Sequence, residues 1–322
     1  MRLNSLEISC PLDFKNKAIA LFKKQFKSNL TYNNYCKLLK IQPNQIKELN
    51  QIPFIPIQFF KTHKIISNKN NVTHLFKSSG TSGIKSTHYV TDINLYKKSF
   101  RKCFEFFYGP IQNYTFLGLL PSYLEQKNSS LIFMIDDFIN KSKHEESEFY
   151  LNDYKKLYNT LIKLKKEKKK TILFGVSYAL IDFVDNFSID INGFTIIETG
   201  GMKGRRKEIT REELHSKLSK GFNVKNIHSE YGMTELFSQA YSIKDGVFRN
   251  PPWMKTLIRD VNNPLSVSLK GKGAMNFIDL ANVNSCAFIA SDDIGEIFDN
   301  SDYKISGRLS ESEIRGCNLM FN

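Results

Sequence analysis

TILFGVS at 171–177, TIIETG at 195–200 and VKNIHSEYG at 224–232 decide the fold of this 322-residue chain. Each is a short apolar run with the texture of a strand. A helical pattern through Phe183 separates the first two, and another from about 210 to 220 separates the second from the third. The same alternation extends upstream through THLFKS, a glycine loop, THYVT, the helix INLYKKSFRKCFEFFY, YTFLGLLP at 114–121 and a long helical pattern over about 152–169. Strands alternating with helices predict an α/β fold with mixed, largely parallel sheets covered on both faces, and ligand sites beyond the carboxyl ends of the strands.

Outside that core the texture changes twice. The first fifty residues predict two or three short amphipathic helices, with Ile19, Leu21, Phe22 and Phe26 near helical spacing. The prolines of IPFIPIQFF (52–60) make an extended connector. After about residue 245, Gly246, Pro251, Pro252, Pro264, Gly271, Gly273 and Gly295 break the chain into short segments, which predicts a mainly β module. The expected organisation is a helical subdomain over 1–50, an α/β core over 51–245, a β-rich module of the same domain over 246–308 and a tail over 309–322. No repeat or low-complexity linker divides it.

Composition bounds the function. At 41% hydrophobic residues the chain can bury a large core. No window approaches the twenty or so apolar residues of a membrane span, and MRLNSLEISCPLDFKNK lacks the apolar stretch of a signal peptide. The expectation is a cytoplasmic protein without integral membrane association. The five cysteines, at 10, 36, 103, 286 and 317, form no CxxC pair or zinc spacing, and all but Cys317 sit in apolar or strand-like contexts that predict packed, reduced thiols. The net charge of +14 raises nucleic acid as a partner. Its distribution argues against that: the densest run, KLKKEKKK (163–170), ends a helix, where cations oppose the helix dipole, and no arginine stripe or RNA-binding signature accompanies it.

Two stretches carry chemistry. KSSGTSGIKS (77–86) follows a strand. Gly80 and Gly83 let backbone approach a polyanion, Ser78, Ser79, Thr81 and Ser82 supply hydroxyls, and Lys85 a compact charge. The spacing is not that of a Walker A loop, and taken alone the stretch reads equally as a flexible hairpin loop. HSEYGMTEL (228–236) also follows a strand. There Tyr231 can stack on a purine, Thr234 contact a phosphate or carboxylate, and Glu235 hold magnesium. In isolation such a tyrosine is usually core and such a glutamate a solvated charge.

In this order the two stretches resemble the adenylate-forming superfamily of acyl-CoA synthetases, peptide-synthetase adenylation domains and luciferases. The resemblance implies ATP and Mg2+ as cofactors, Tyr231 as the adenine neighbour, Thr234 near the α-phosphate, Glu235 as the magnesium ligand, and Ser79, Gly80, Thr81, Ser82, Gly83 and Lys85 around the pyrophosphate. Ser82 stands where threonine is usual and Ile84 where proline is frequent. Further matches are Gly200 and Gly201 (Gly201 against adenine), IASDDIG (289–295) and SGR (306–308). They imply Asp293, with Asp292 beside it, on the ribose hydroxyls and Arg308 near the ribose. A carboxylate suits a vicinal diol because it accepts two hydrogen bonds; without the other motifs, Asp293 and Arg308 would read as a turn aspartate and a surface cation.

LLPSYLEQKNSSLIFMI (119–135), TGGMKGRRKE (199–208) and SESEIRGCNLM (310–320) resemble the acyl-protein synthetases associated with the fatty-acid reductase of luminous bacteria. The superfamily's mobile C-terminal domain, with its second catalytic lysine, is expected to be absent, since the sequence ends 14 residues after Arg308. The resemblance implies an acid–thiol ligase that activates a fatty or other carboxylic acid to acyl-AMP and transfers it to a cysteine near the C-terminus, which matches Cys317. Neighbouring Arg308 and Arg315 could lower that thiol's pKa; a packed tail cysteine is the plain alternative. Implied partners are the acid and an acyl acceptor or an acyl-transferase or reductase protein. Two other readings stay open: a CoA ligase whose turnover survives loss of Cys317, and a scaffold that kept the fold and lost the chemistry.

Overall fold

The computed structural model describes residues 5–67, 71–79, 84–121, 128–201 and 206–309. Their helices are α1 (Pro11–Ser28), α2 (Leu30–Leu38), α3 (Phe59–Thr62), α4 (Ile93–Tyr108), α5 (Ser130–Ser142), α6 (Tyr154–Lys166), α7 (Ser177–Asn186) and α8 (Arg211–Phe222). The first eight strands are β1 (Ile55–Pro56), β2 (His74–Lys77), β3 (Thr87–Val90), β4 (Thr115–Leu119), β5 (Glu148–Phe149), β6 (Thr171–Val176), β7 (Thr195–Thr199) and β8 (His228–Tyr231). The remainder are β9 (Ala240–Ser242), β10 (Phe248–Arg249), β11 (Met254–Arg259), β12 (Val267–Ser268), β13 (Gly271–Asp279), β14 (Phe288–Ile297) and β15 (Tyr303–Arg308).

One large sheet runs in the order β12-β11-β13-β14-β15-β10-β9-β8-β7-β6-β4-β5, with β1 alongside β14. From β8 to β5 every pairing is parallel, and from β8 through to β12 every pairing is antiparallel. The parallel half is the one read from TILFGVS and TIIETG. Every residue of β4 and β6 is buried, as strands covered on both faces require. α7 packs against β6, β7 and α8, and rings of α6 lie against it, while α5 packs against β4 and α4. The β-rich segment after residue 245 continues this sheet, joined through β9 and β10.

Local chemistry explains the element ends that matter. Asp92 caps α4 by accepting from Leu95 N, and the helix stops at Gly109, whose φ of 83° suits glycine. Thr210 and Glu213 form a reciprocal capping box that starts α8. α1 and α2 pack onto the β13–β14 connection: Gln25 Nε2 donates to Asn282 O, Asn29 Nδ2 to Ser285 O, and Phe22 and Tyr32 lie against Phe288. Three thiols are buried as expected, but Cys10 is exposed, because it stands just before α1 rather than within its packed face. The connector at 52–60 is extended only as far as Pro56; Ile57 and Gln58 turn, and Phe59 and Phe60 already belong to α3. No helix among the described residues is long and apolar enough to cross a membrane.

Candidate active site

The glycine-rich stretch lies between β2 and β3, which pair only with each other as an antiparallel ribbon. Its stems are pinned together: Ser86 N donates to Ser78 Oγ at 3.0 Å and Ser78 N to Ser86 O at 3.1 Å. Gly80, Thr81, Ser82 and Gly83 lie outside the described residues, as does Cys317. Ser79 and Lys85 flank the loop, and Lys85 is exposed.

The second stretch forms the connection from β8 to β9, which buried polar groups hold in shape. Asp279 accepts from Phe237 N, Ser238 N, Ser238 Oγ and Ala281 N at 2.7 to 3.0 Å. Asn282 Nδ2 donates to Glu235 O, and His88 Nδ1, on β3, donates to Thr234 O at 2.8 Å. Burial pushes the His88 imidazole down to about 4, so it stays neutral at physiological pH and ties the ribbon to the loop without adding charge. Two stretches 150 residues apart in sequence are thereby fixed side by side.

They border a cavity of about 960 Å³, near the upper end of the roughly 300–1,000 Å³ of small-molecule pockets. It opens at the carboxyl ends of β6, β7 and β8. Ser79, Gly200, Gly201, Tyr231, Thr234, Asp293 and Arg308 all line it. Gly200, at φ 67°, turns the chain off β7 into the cavity mouth. Asp293 and Arg308 are register partners on β14 and β15, and Arg308 Nε donates to Asp293 Oδ1 at 3.0 Å while Tyr231 Oη donates to Asp293 Oδ2 at 2.5 Å. Tyr231 is stacked on Phe277, with ring centroids 5.4 Å apart. Burial first, then Asp293, hold its phenol far above the usual value, so it remains a donor. Asp292 faces elsewhere: both its oxygens accept from Gln58 Nε2 at 2.7 Å.

Glu235 and Lys85 are not among the lining residues. Glu235 is 3% exposed, and burial raises its carboxyl; the Ser86 hydroxyl and the charges of Arg308 and Lys61 act the other way. A desolvated carboxylate in that state suits a hard divalent cation. The described residues hold no group of three or more His, Cys, Asp or Glu placed to bind a metal, so magnesium there would take its other ligands from phosphate and water, as it commonly does.

Two buried carboxyls in the cavity wall escaped the sequence reading. Glu198, on β7, accepts from Ser177 Oγ at 3.1 Å and has Arg211 and His215 at 3.7 and 3.4 Å. Burial pushes it up, but His215, Arg211 and Ser229 outweigh that and leave it below the usual range. Glu230, on β8, accepts from Thr199 Oγ1, and burial with the neighbouring Glu198 charge lifts it to about 7. The legible signal was a glutamate inside each of two strands that end at the site, TIIET and HSEY.

The sequence model of "Acyl-protein synthetase, LuxE" matches residues 5–322. The chain belongs to this acyl-protein synthetase family. Its relatives include the long-chain-fatty-acid–luciferin-component ligases of Aliivibrio fischeri and Vibrio harveyi. Each is 23% identical over 92% of this chain, and the matches cover 85% and 84% of those proteins. Among solved structures, ATP-bound MatB from Rhodopseudomonas palustris matches 74% of this chain at a TM-score of 0.56 and 13% identity. A long-chain-fatty-acid–CoA ligase, FadD1 of Archaeoglobus fulgidus, matches 78% at 0.54 and 16%. Such identities speak for fold alone, that of the N-terminal part of adenylate-forming enzymes, and the matches span 48% and 54% of those two chains. The acyl-protein synthetase fold here is therefore this α/β domain with its antiparallel extension.

Proposed function

We propose that this acyl-protein synthetase uses ATP to convert a carboxylic acid, long-chain fatty acids being the first class to test, into an acyl adenylate and then passes the acyl group to a thiol. The observation that carries the reading is the cluster of Tyr231, Asp293 and Arg308 in the same cavity as Gly200, Gly201 and Thr234. A carboxylate already held by two donors on one edge is oriented before any nucleotide arrives, and its lone pairs can accept from both hydroxyls of a ribose. Among the described residues, Gly201 has only Glu208 within 4 Å of where a Cβ would be, which fits a flat base laid against the backbone.

In the first step a carboxylate oxygen of the acid attacks the α-phosphorus of ATP; the bond to the β-phosphate oxygen breaks and pyrophosphate leaves. Both reactants are anions, so the step depends on neutralisation. Lys85, the amides of the loop at 80–83 and Thr234 supply this from the protein, and Glu235 would hold magnesium, which contributes charge neutralisation at the phosphates. In the second step a thiolate attacks the acyl carbonyl carbon, AMP leaves, and a thioester forms. Cys317 is the acceptor we assign, on its match to the acyl-accepting cysteine of the resembling family.

The test is pyrophosphate release from ATP and Mg2+ with a panel of fatty and aryl acids, followed by the intact mass of wild type and Cys317→Ser. Acid-dependent release with an acyl increment on wild type, and none on Cys317→Ser, is the expected result. Release without the increment would reassign the acceptor to an external thiol such as CoA, and no release with any acid would sink the reading.

A further inference from the structure

The antiparallel part of the sheet departs from regular pairing at the point where it presents Asp293. Ala274 on β13 pairs with Ile294 on β14 and Asn276 with Ala290, so Met275 alone stands opposite Ser291, Asp292 and Asp293. Such a bulge interrupts the ladder and leaves backbone groups to be paired by other means. Side chains pair them here. Arg259, at the end of β11, reaches across β13: its Nη1 donates to Met275 O and Asn276 Oδ1, both at 2.9 Å, and its Nη2 donates to Ser291 O at 2.5 Å. Ser291 Oγ donates to Met275 O at 3.1 Å and accepts from Asp293 N at 3.2 Å. Arg259 is buried, and all three of these acceptors are uncharged oxygens. A buried charge is costly even when it is hydrogen-bonded; what the guanidinium supplies in return is a fixed fork that spans two strands.

We infer that Arg259 and Ser291 are positioning residues: by bridging the bulge they set the backbone at Asp293 and so hold its carboxylate where it meets the ribose of the nucleotide. The inference rests on the assignment of Asp293 to the ribose in the reading above and adds the residues that place that carboxylate. Neither Arg259 nor Ser291 lines the cavity, so both act through Asp293. Tyr231 and Arg308 orient its two oxygens, and Ser291 holds its main-chain nitrogen. Asp292, between the two in sequence, is held by Gln58 Nε2 on its carboxylate and by Leu309 N on its carbonyl. Each residue of the bulge is therefore tied to a different anchor.

The experiment uses the full chain and measures equilibrium binding of ATP and of dideoxy-ATP, which lacks both ribose hydroxyls, to wild type, Arg259→Met and Ser291→Ala. Wild type is expected to prefer ATP by at least about tenfold, because a site built to bond hydroxyls discriminates strongly against the analogue lacking them. In both variants the preference is expected to fall to near-equal binding, with dideoxy-ATP bound as by wild type, since only the group that reads the hydroxyls is displaced. A merely structural role would weaken both nucleotides alike and leave their ratio unchanged. That outcome, or the wild-type ratio and affinities retained by either folded variant, would overturn the inference. Ser291→Ala removes a single oxygen, so the test stands even where Arg259→Met does not fold. Wild type that binds the two nucleotides equally, or neither, would instead sink the ribose assignment and the inference with it, so the wild-type ratio tells the two failures apart.

Discussion

Two walls of one cavity are built on opposite principles. On the β14–β15 side, Asp293 is satisfied by Tyr231 and Arg308, both holding their protons, so charge and hydrogen bonds close locally. On the β7–β8 side, Glu198 and Glu230 are buried next to each other, one held down by its neighbours His215 and Arg211 and the other lifted to about 7. The first wall is preorganised for a constant partner. The second stores polarity in two adjoining buried carboxyls, of which Glu198 has Arg211 and His215 beside it. On the reading proposed above, the first wall would serve the nucleotide, and the contrast between the walls can be tested.

The most disruptive way to test that contrast is Asp293→Ala. It removes the acceptor of two donors at once and leaves the half-exposed Tyr231 and the exposed Arg308 without their shared partner. If this wall serves the nucleotide, loss of two charge-assisted hydrogen bonds at about 1.5 kcal/mol or more each predicts a fall of roughly a hundredfold or more in kcat/KM for ATP, with acid binding unchanged. A comparable loss of acid binding would mean the two walls do not divide the labour.

A second test targets the stored polarity. Glu230 has its folded carboxyl raised from 4.5 to about 7. The native state therefore binds a proton more tightly than the unfolded chain does. The stability this contributes is fully present below about 4.5 and is lost as pH rises through about 7. At 1.36 kcal/mol per pH unit the span is at most on the order of 3 kcal/mol. Glu198 has the opposite sign: its lowered carboxyl adds stability above its unfolded value that is lost on acidification. Glu230→Gln, which keeps the acceptor for Thr199, should flatten the decline of unfolding free energy between pH 5 and 8 measured in urea. An unchanged pH profile would show that Glu230 is not the group that titrates there.

These walls were not equally legible in the sequence. Tyr231, Asp293 and Arg308 belong to short patterned motifs, and the buried runs of β6 and β7 and the helix at Ile93–Tyr108 announce themselves by texture alone. Glu198 and Glu230 lie inside stretches already singled out, yet their chemistry depends on adjacency between parallel strands, with Thr199 paired to Glu230 in register, and no local pattern encodes that. α5 was missed as an element because SLIFMIDDFINKS is apolar around much of its circumference, which blurs helical periodicity. The continuity of the parallel and antiparallel halves was hidden for a related reason: the joining strands β9 and β10 are three and two residues long.

The smallest expected effect sharpens the comparison most. Tyr231→Phe deletes one oxygen and keeps the ring, so the stacking on Phe277 and the edge contact with Phe248 survive. Asp293 keeps Arg308 Nε on its other oxygen, and water in the open cavity can replace the lost phenol. The penalty should then be that of a single net hydrogen bond, about 1 kcal/mol, or roughly fivefold in KM for ATP with kcat nearly unchanged. A drop of a hundredfold, equal to that of Asp293→Ala, would mean that the phenol itself contacts the reacting groups. A fivefold effect would mean that it works through Asp293, as a positioning residue for the carboxylate that meets the ribose.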